Sequence, residues 1–416
     1  PDADRARQVV DAMSAFEAEQ WPALQPVLPY FANDVSPYHE IAPIRALAAE
    51  RVAASYRISL DLGVAAIIMP AEALLLQTLD AETVDKSAAM ASAGANLDRV
   101  ELAEQLVAGG YDRVPVVEDP GTFTIRGGVV DIWSPLYDQP VRLDFFGDDV
   151  ESIRFFDPQT QQGGAHLPDA IFPAARELLL DPEEMDQIAD RITDLADDQG
   201  LPTADLRAII DELRSGHLMP GLEALLPSVS PGLSPILQTA ADTRPVVILE
   251  GPDACMAAME ESYKRLYKQY RDARKAERLV TPPATLFCSP ARVRKLLDSY
   301  TRLLIRPVAL GEEGDLPTFH LDVQGNSDIT DALRKNKGSE EGLRPLAARI
   351  REARRLGHLV AITSRSNGGR DRLTHILKHY GVAGQVRDEP LKPSDIAQLR
   401  RQKDVDAVLI LGGTGR

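Results

Sequence analysis

Hydrophobic positions follow two different rhythms along this chain, and the change of rhythm divides it. Over residues 1 to 87 apolar residues recur at helical spacing between short apolar runs. The spacing predicts helices over Asp4–Phe16 and Ile44–Ser59, with Leu47, Val52 and Tyr56 as candidate core residues. It also predicts a buried strand over Val64–Met69 that stops at Pro70. Pro22, Pro26 and Pro29 predict an extended stretch, because each fixes its own φ. Residues 80 to 95 are small and polar and read as a linker.

From 88 to 174 the period shortens to two. A helix is expected over Leu97–Ala108 behind an Asn96 or Asp98 cap. Three alternating runs follow, Thr122–Trp133, Val141–Phe146 and Val150–Phe156, separated by Ser134-Pro135 with Gln139-Pro140 and then by Gly147-Asp148-Asp149. They predict an antiparallel β-meander. Residues 175 to 310 return to α/β, with a strand over Val246–Glu250 leading through Gly251-Pro252-Asp253 into a helix near Cys255–Arg278. Residues 311–342 are rich in turn formers and read as a second linker. Over 343–416 the pattern predicts helices at Leu343–Leu356 and Arg370–Tyr380 and strands at Leu359–Thr363 and Val405–Leu411. The expected architecture is multidomain α/β: an α/β domain over 1–87 and 175–310, interrupted by an inserted antiparallel β-rich α+β domain over 88–174, then a small α/β domain over 343–416.

Strand phase points to a surface. In the second run Val141, Leu143 and Phe145 share one face and Arg142, Asp144 and Phe146 the other. The apolar set packs inward, so Phe146 is placed outside with Arg142. In the first run Phe123 and Ile125 point inward and Arg126 outward; a bulge at Gly127-Gly128 then resets the phase and returns Val130 and Ile132 to the core. Two arginines and a ring on one solvent-facing surface have the composition of a protein–protein hot spot. A second reading stays open, in which Phe146 folds under a neighbouring helix and the arginines pair with Asp131 or Asp144.

Composition narrows the function. The net charge of −17 opposes general binding of phosphate backbones by the chain as a whole. No apolar run approaches the roughly 18 residues of a membrane span, and no signal peptide opens the chain. Cys255 and Cys288 are the only cysteines, which suits a reducing cytoplasm rather than a disulfide framework or a zinc ribbon. Both ends, Pro1-Asp2 and Gly412-Gly413-Thr414-Gly415-Arg416, read as cut points just after strands.

Catalytic chemistry is not evident. The phosphate-cradling Gly-x-x-x-x-Gly-Lys-Ser/Thr pattern is missing from the sequence. The terminal glycine loop lacks the lysine and the spacing, and Gly251-Pro252-Asp253 is a weaker nucleotide candidate. His375 and His379 stand one turn apart, as a metal pair could, without a supporting carboxylate or thiol; surface histidines are the simpler reading. The expectation is no catalytic, cofactor-binding or metal-binding residue. A basic cluster stands apart, with 11 Lys or Arg against 4 Asp or Glu between Arg334 and Arg372. It reads either as a solvated helix face or as a patch near DNA or polymerase.

The segment from Gly121 through Arg126-Gly-Gly-Val-Val-Asp131 to Pro135, continued by Pro140-Val-Arg142-Leu-Asp144-Phe-Phe146-Gly-Asp-Asp-Val-Glu151-Ser-Ile-Arg154, resembles the UvrA-binding domain shared by UvrB and the transcription-repair coupling factors. Upstream, Ser36-Pro37-Tyr38-His39-Glu40-Ile41, with Arg45 and Arg51 behind it, resembles the segment that precedes this domain in the coupling factors. Pro220-Gly221-Leu222-Glu223 also fits a family-like segment. Residues 60 to 96, where UvrB would carry a tyrosine-rich hairpin, hold no Tyr, and Gly128 stands where UvrB usually has an acid; both favour the coupling factor. The resemblance implies that Arg126, Arg142 and Phe146 contact UvrA, in a degenerate helicase-like module that has lost ATP binding. It implies a non-catalytic, cytoplasmic N-terminal region that recruits UvrA to stalled RNA polymerase in nucleotide excision repair. ATP and magnesium, RNA polymerase and DNA would be handled by other domains of the full-length parent. The alternative is a fragment of a UvrB-like damage-loading ATPase.

Overall fold

In the computed structural model, residues 2–20, 27–216, 219–306, 317–319, 327–335, 342–364, 366–387, 393–402 and 404–411 are described. They fall into two compact units, Pro1–Val10 with Gln25–Pro307, and Asp11–Leu24 with Val308–Arg416.

The β-rich part of the first unit is built from β1 (Ala89–Ser92), α1 (Arg99–Ala108), β2 (Asp112–Arg113), β3 (Thr122–Arg126), β4 (Val129–Trp133), β5 (Val141–Phe146), β6 (Asp149–Phe156), β7 (Gly163–Leu167) and β8 (Asp169–Phe172). Six strands form one sheet in the order β7-β6-β5-β4-β3-β2, and only β2 and β3 run parallel. β1 and β8 pair separately and antiparallel, Ala89 with Phe172 and Ser92 with Asp169, so the chain enters and leaves side by side.

Alternation explains the layer. Phe123, Val130, Ile132, Val141, Leu143, Phe145, Val150 and Ile153 are all buried in one cluster, closed on its other side by Leu102 and Leu106 of α1. Each contributes about 1.5–3 kcal/mol over its exposed state. α1 starts where Asp98 accepts hydrogen bonds from the backbone N–H of Val100 and Glu101, at 2.7 and 3.4 Å.

Several expectations need correction. The run Thr122–Trp133 is two strands, because Gly127-Gly128 is a two-residue turn with Arg126 opposite Val129. Gly127 takes φ +60°, as the first central residue of a type II′ turn does. The phase reset is therefore a hairpin, and register shifts in the sheet fall instead between Asp144 and Phe145, where β5 meets β6, and between Gly163 and His166, where β7 meets β6. Residues 80–95 are not a linker: they hold the helix Ala81–Lys86, capped by Asp80, and β1. The second linker is interrupted by a helix over Ser327–Lys335; the rest of 311–342 lies largely outside the described residues.

The remainder of the first unit is α/β. Val27–Pro29 pairs in parallel with Ala66–Ile68, and Val247–Glu250 with Arg302–Ile305; Gln77–Leu79 pairs antiparallel with Leu233–Pro235. Helices Met185–Gln199, Thr203–Arg214 and Pro252–Lys275 bury Ile192, Leu213, Met259 and Leu266 in its main core. The helix Arg45–Ser59 packs Val52 and Tyr56 against Leu136 and Ala174, joining the two parts; Leu47 is only half-buried.

The second unit holds α2 (Arg344–Arg355), β9 (Ala361–Ser364), α3 (Asn367–His379), β10 (Gly384–Arg387), α4 (Pro393–Arg401) and β11 (Ala407–Leu411). Its parallel sheet has the order β9-β11-β10. β10 and α4 were not expected from the sequence.

Candidate protein-binding face

The sheet's outward face is assembled from alternate residues of β3 to β6. One row crosses four strands in register: Thr124, Asp131, Arg142, Arg154. One step nearer the two hairpin turns lie Arg126, Val129, Asp144 and Ser152, and Phe146 lies beyond them at the end of β5.

Asp131 organises this face. Its carboxylate is only 1% exposed, because two guanidiniums lie over it. Arg142 grips it through two donors, Nε to Oδ1 at 2.6 Å and Nη2 to Oδ2 at 2.9 Å. Arg126 Nη2 reaches Oδ2 at 2.7 Å from the far side. Such charge-assisted bonds fix side-chain orientation as well as adding energy. Arg142 also donates to Gln161 Oε1 at 2.8 Å and stacks 4.3 Å above the ring centre of the buried Phe156. The hydrogen bonds that Arg142 donates to Asp131 raise its pKa above the ordinary value, against the effect of burial. The Arg142 side chain is 15% exposed and that of Arg126 50%.

Arg142 stands directly opposite Arg154, a placement that would be repulsive if both were unpaired. Each turns to its own carboxylate instead, Arg142 to Asp131 and Arg154 to Asp144, which Ser152 Oγ also reaches at 2.7 Å.

Phe146 is 75% exposed, while its neighbour Phe145 is buried beneath Arg99 of α1. Close contact of the two hairpins holds this edge still: Phe145 N donates to the carbonyl of Gly128 at 2.7 Å. A Cβ at position 128 would stand 2.9 Å from the Phe145 carbonyl oxygen, so the approach needs glycine there.

The three residues singled out from the sequence thus lie on one face. Of the second reading, the part that buries Phe146 does not occur, whereas the part that pairs both arginines with Asp131 does. The pairing does not withdraw Arg126, most of whose donors remain open to solvent. The burial of Asp131 and the supports from Gln161 and Phe156 were missed. Reading Gly127-Gly128 as a two-residue turn would have placed Asp131 opposite Thr124, on the same outward face as Arg126.

Other candidates gather little. No cluster of three or more metal-ligating side chains occurs among the described residues, those of α3 included. The helix that follows Gly251 carries Asp253 in its first turn, paired with Arg306 at 2.8 Å, a carboxylate where a phosphate would need positive potential. Gly412–Arg416 lie outside the described residues. Cys255 and Cys288 are buried free thiols, their pKa values raised by that burial. No helix of the described residues is long and apolar enough to cross a membrane.

A one-layer, mostly antiparallel sheet backed by a single helix displays the paired arginines and the open ring, and residues 91–177 match the UvrB interaction domain family. Beyond that domain, the chain is 33% identical over 396 residues to the transcription-repair-coupling factor of Myxococcus xanthus, covering 94% of this chain and 33% of that protein. Shorter matches join it to the transcription-repair-coupling factors of Bacillus subtilis strain 168, 32% over 126 residues (30% of this chain, 11% of the relative), and Mycobacterium tuberculosis, 28% over 152 residues (36% and 12%). The chain matches the N-terminal region of a transcription-repair coupling factor and carries that family's UvrB interaction domain. It spans about one third of the length of the M. xanthus relative.

Proposed function

We propose that this chain is a recruitment module that binds UvrA through the outward face of the β3–β6 sheet. The observation that carries the reading is the exposed ring of Phe146 on the same face as two arginines fixed by one buried carboxylate. Arg126 and Arg142 make charge-assisted hydrogen bonds to acidic or carbonyl groups of UvrA, and Phe146 fills an apolar pocket. Binding is fast to form and specific because the cations are oriented before contact, so little side-chain entropy is lost on association.

In this reading the rest of the first unit is a degenerate helicase-like, UvrB-like α/β scaffold that needs no bound nucleotide. The longer cytoplasmic protein is an ATP-dependent DNA translocase whose other domains engage RNA polymerase, DNA, ATP and magnesium, and the module brings UvrA to a stalled polymerase for excision repair. A domain further along that protein masks the face until the motor engages.

The test is biolayer interferometry with purified UvrA. Arg142→Ala and Phe146→Ala each weaken binding about thirtyfold, the equivalent of roughly 2 kcal/mol. Unchanged affinity in both variants overturns the assignment.

A further inference from the structure

The basic cluster has no part in that recruitment. Between Arg334 and Arg372 stand 11 Lys or Arg against 4 Asp or Glu, in a chain whose net charge is −17. In the second unit α2 and α3 lie on the same side of the sheet, because Ala347 and Ile350 of α2 and Leu377 of α3 share one core with Ala407 and Leu409 of β11. The opposite flanks of both helices therefore face solvent. There α2 exposes Arg344, Arg351 and Arg355 in one row and Arg349 on its other flank, and α3 exposes Arg372 and Lys378.

Acids are sparse on these flanks. Arg349 stands 3.9 Å from Glu352, and Asp371 is the other acid on the two helices' exposed sides. Arg351 and Arg355 make no ion pair among the described residues; Arg351 Nε donates only to the Ala347 carbonyl of its own helix, at 3.3 Å. Arg354, by contrast, turns away, donating to the carbonyls of His358 and Gln402 at 3.3 and 2.6 Å and so fastening α2 in place.

We infer that this two-helix face binds the sugar–phosphate backbone of duplex DNA without sequence preference. Arg351 and Arg355 are one turn apart, about 6 Å along the axis, and Arg344 extends the row. A row of point charges suits a row of phosphates better than a single carboxylate. Neither α2 nor α3 contains a Phe, Tyr or Trp to anchor a protein partner. Exposed arginines without base-reading neighbours contact phosphate, and phosphate contacts carry no sequence information. The acidic remainder of the chain repels the same polyanion, so the contact is local, weak and steeply dependent on salt.

The inference uses neither Arg126, Arg142 nor Phe146 and stands or falls apart from UvrA binding. It is tested by fluorescence anisotropy of a labelled duplex of about 30 base pairs, titrated with the whole chain between about 20 and 200 mM salt. The unaltered chain binds at low salt. Arg351→Glu/Arg355→Glu binds at least roughly tenfold more weakly, and its plot of log affinity against log salt is shallower by about 2, one for each phosphate that is no longer neutralised. Arg351→Gln/Arg355→Gln, which removes charge without adding repulsion, lowers the slope by the same amount. Arg214→Glu, an exposed arginine in the other unit, changes the net charge as one reversal does and leaves the slope unaltered. Absence of binding at the lowest salt, or binding by both double variants equal to that of the unaltered chain, overturns the inference. Tighter binding of polyglutamate than of the duplex overturns it in favour of an acidic protein partner.

Discussion

Two arginine–carboxylate arrangements in the first unit look alike as ion pairs and differ in which partner is sealed. At Arg51–Glu177 the cation is buried, its side chain 1% exposed, and its donors are consumed by Glu177 at 2.8 and 2.6 Å, the Phe31 carbonyl at 2.7 Å and Asn33 at 2.9 Å. Burial alone would lower the pKa of Arg51; the charge and hydrogen bonds of Glu177 outweigh it and hold it above the ordinary value. At Asp131 the anion is sealed, and the cations above it keep an open side. A buried cation with all three guanidinium nitrogens bonded inside the protein can only hold the fold together. A buried anion that props up two cations, one half-open and one mostly covered, costs stability unless both stay in place, yet leaves the open side of each available to a partner. Arg51 belongs to the segment that resembles the coupling factors and Arg126 to the meander, so resemblance alone does not separate the two roles, while burial does.

The comparison can be broken at several points. The largest effect is expected from Arg51→Ala, which strands Glu177 without its partner: about 3–5 kcal/mol of stability in urea denaturation, with the UvrA affinity of the folded fraction unchanged. A loss below about 1 kcal/mol would erase the distinction. Next comes Asp131→Ala, which should lower stability by about 1.5–3 kcal/mol, the range for hydrogen bonds to charged groups, and weaken UvrA binding although Asp131 itself is out of reach. If affinity holds while stability falls, the carboxylate does not pre-orient the arginines. Phe146→Ala should reverse that balance, weakening UvrA binding by about 2 kcal/mol while the melting temperature stays within the range of a surface change, about 0.5 kcal/mol. The smallest effect is set for Gly127→Ala, about 1 kcal/mol of stability from forcing a Cβ into the left-handed region, read as a lower melting temperature.

Much of this was legible in the sequence where local rules decide. Period-two alternation places Val141, Leu143 and Phe145 inside and Phe146 outside because one face of the sheet packs on α1. The cap at Asp98 and the helix Arg45–Ser59 follow from the same local logic. What escaped depends on residues far apart in the chain. β1 is Ala-Met-Ala-Ser, with no strand signature, and exists because β8, far along the chain, lies beside it. β10, Gly-Gln-Val-Arg, is likewise made a strand by its neighbour β11. Asp131 reads as an ordinary outward aspartate; its burial comes from two long side chains folding across it, which alternation does not encode.

The ladder between β1 and β8 has a consequence of its own. Paired antiparallel strands keep their backbones about 5 Å apart, so the tether into the β-rich part and the tether out of it are nearly one point. A segment anchored that way can be excised and grafted into another host loop without stretching either side. Portability of this sort lets one docking surface be carried by otherwise different machines, with no need for the hosts to share anything else.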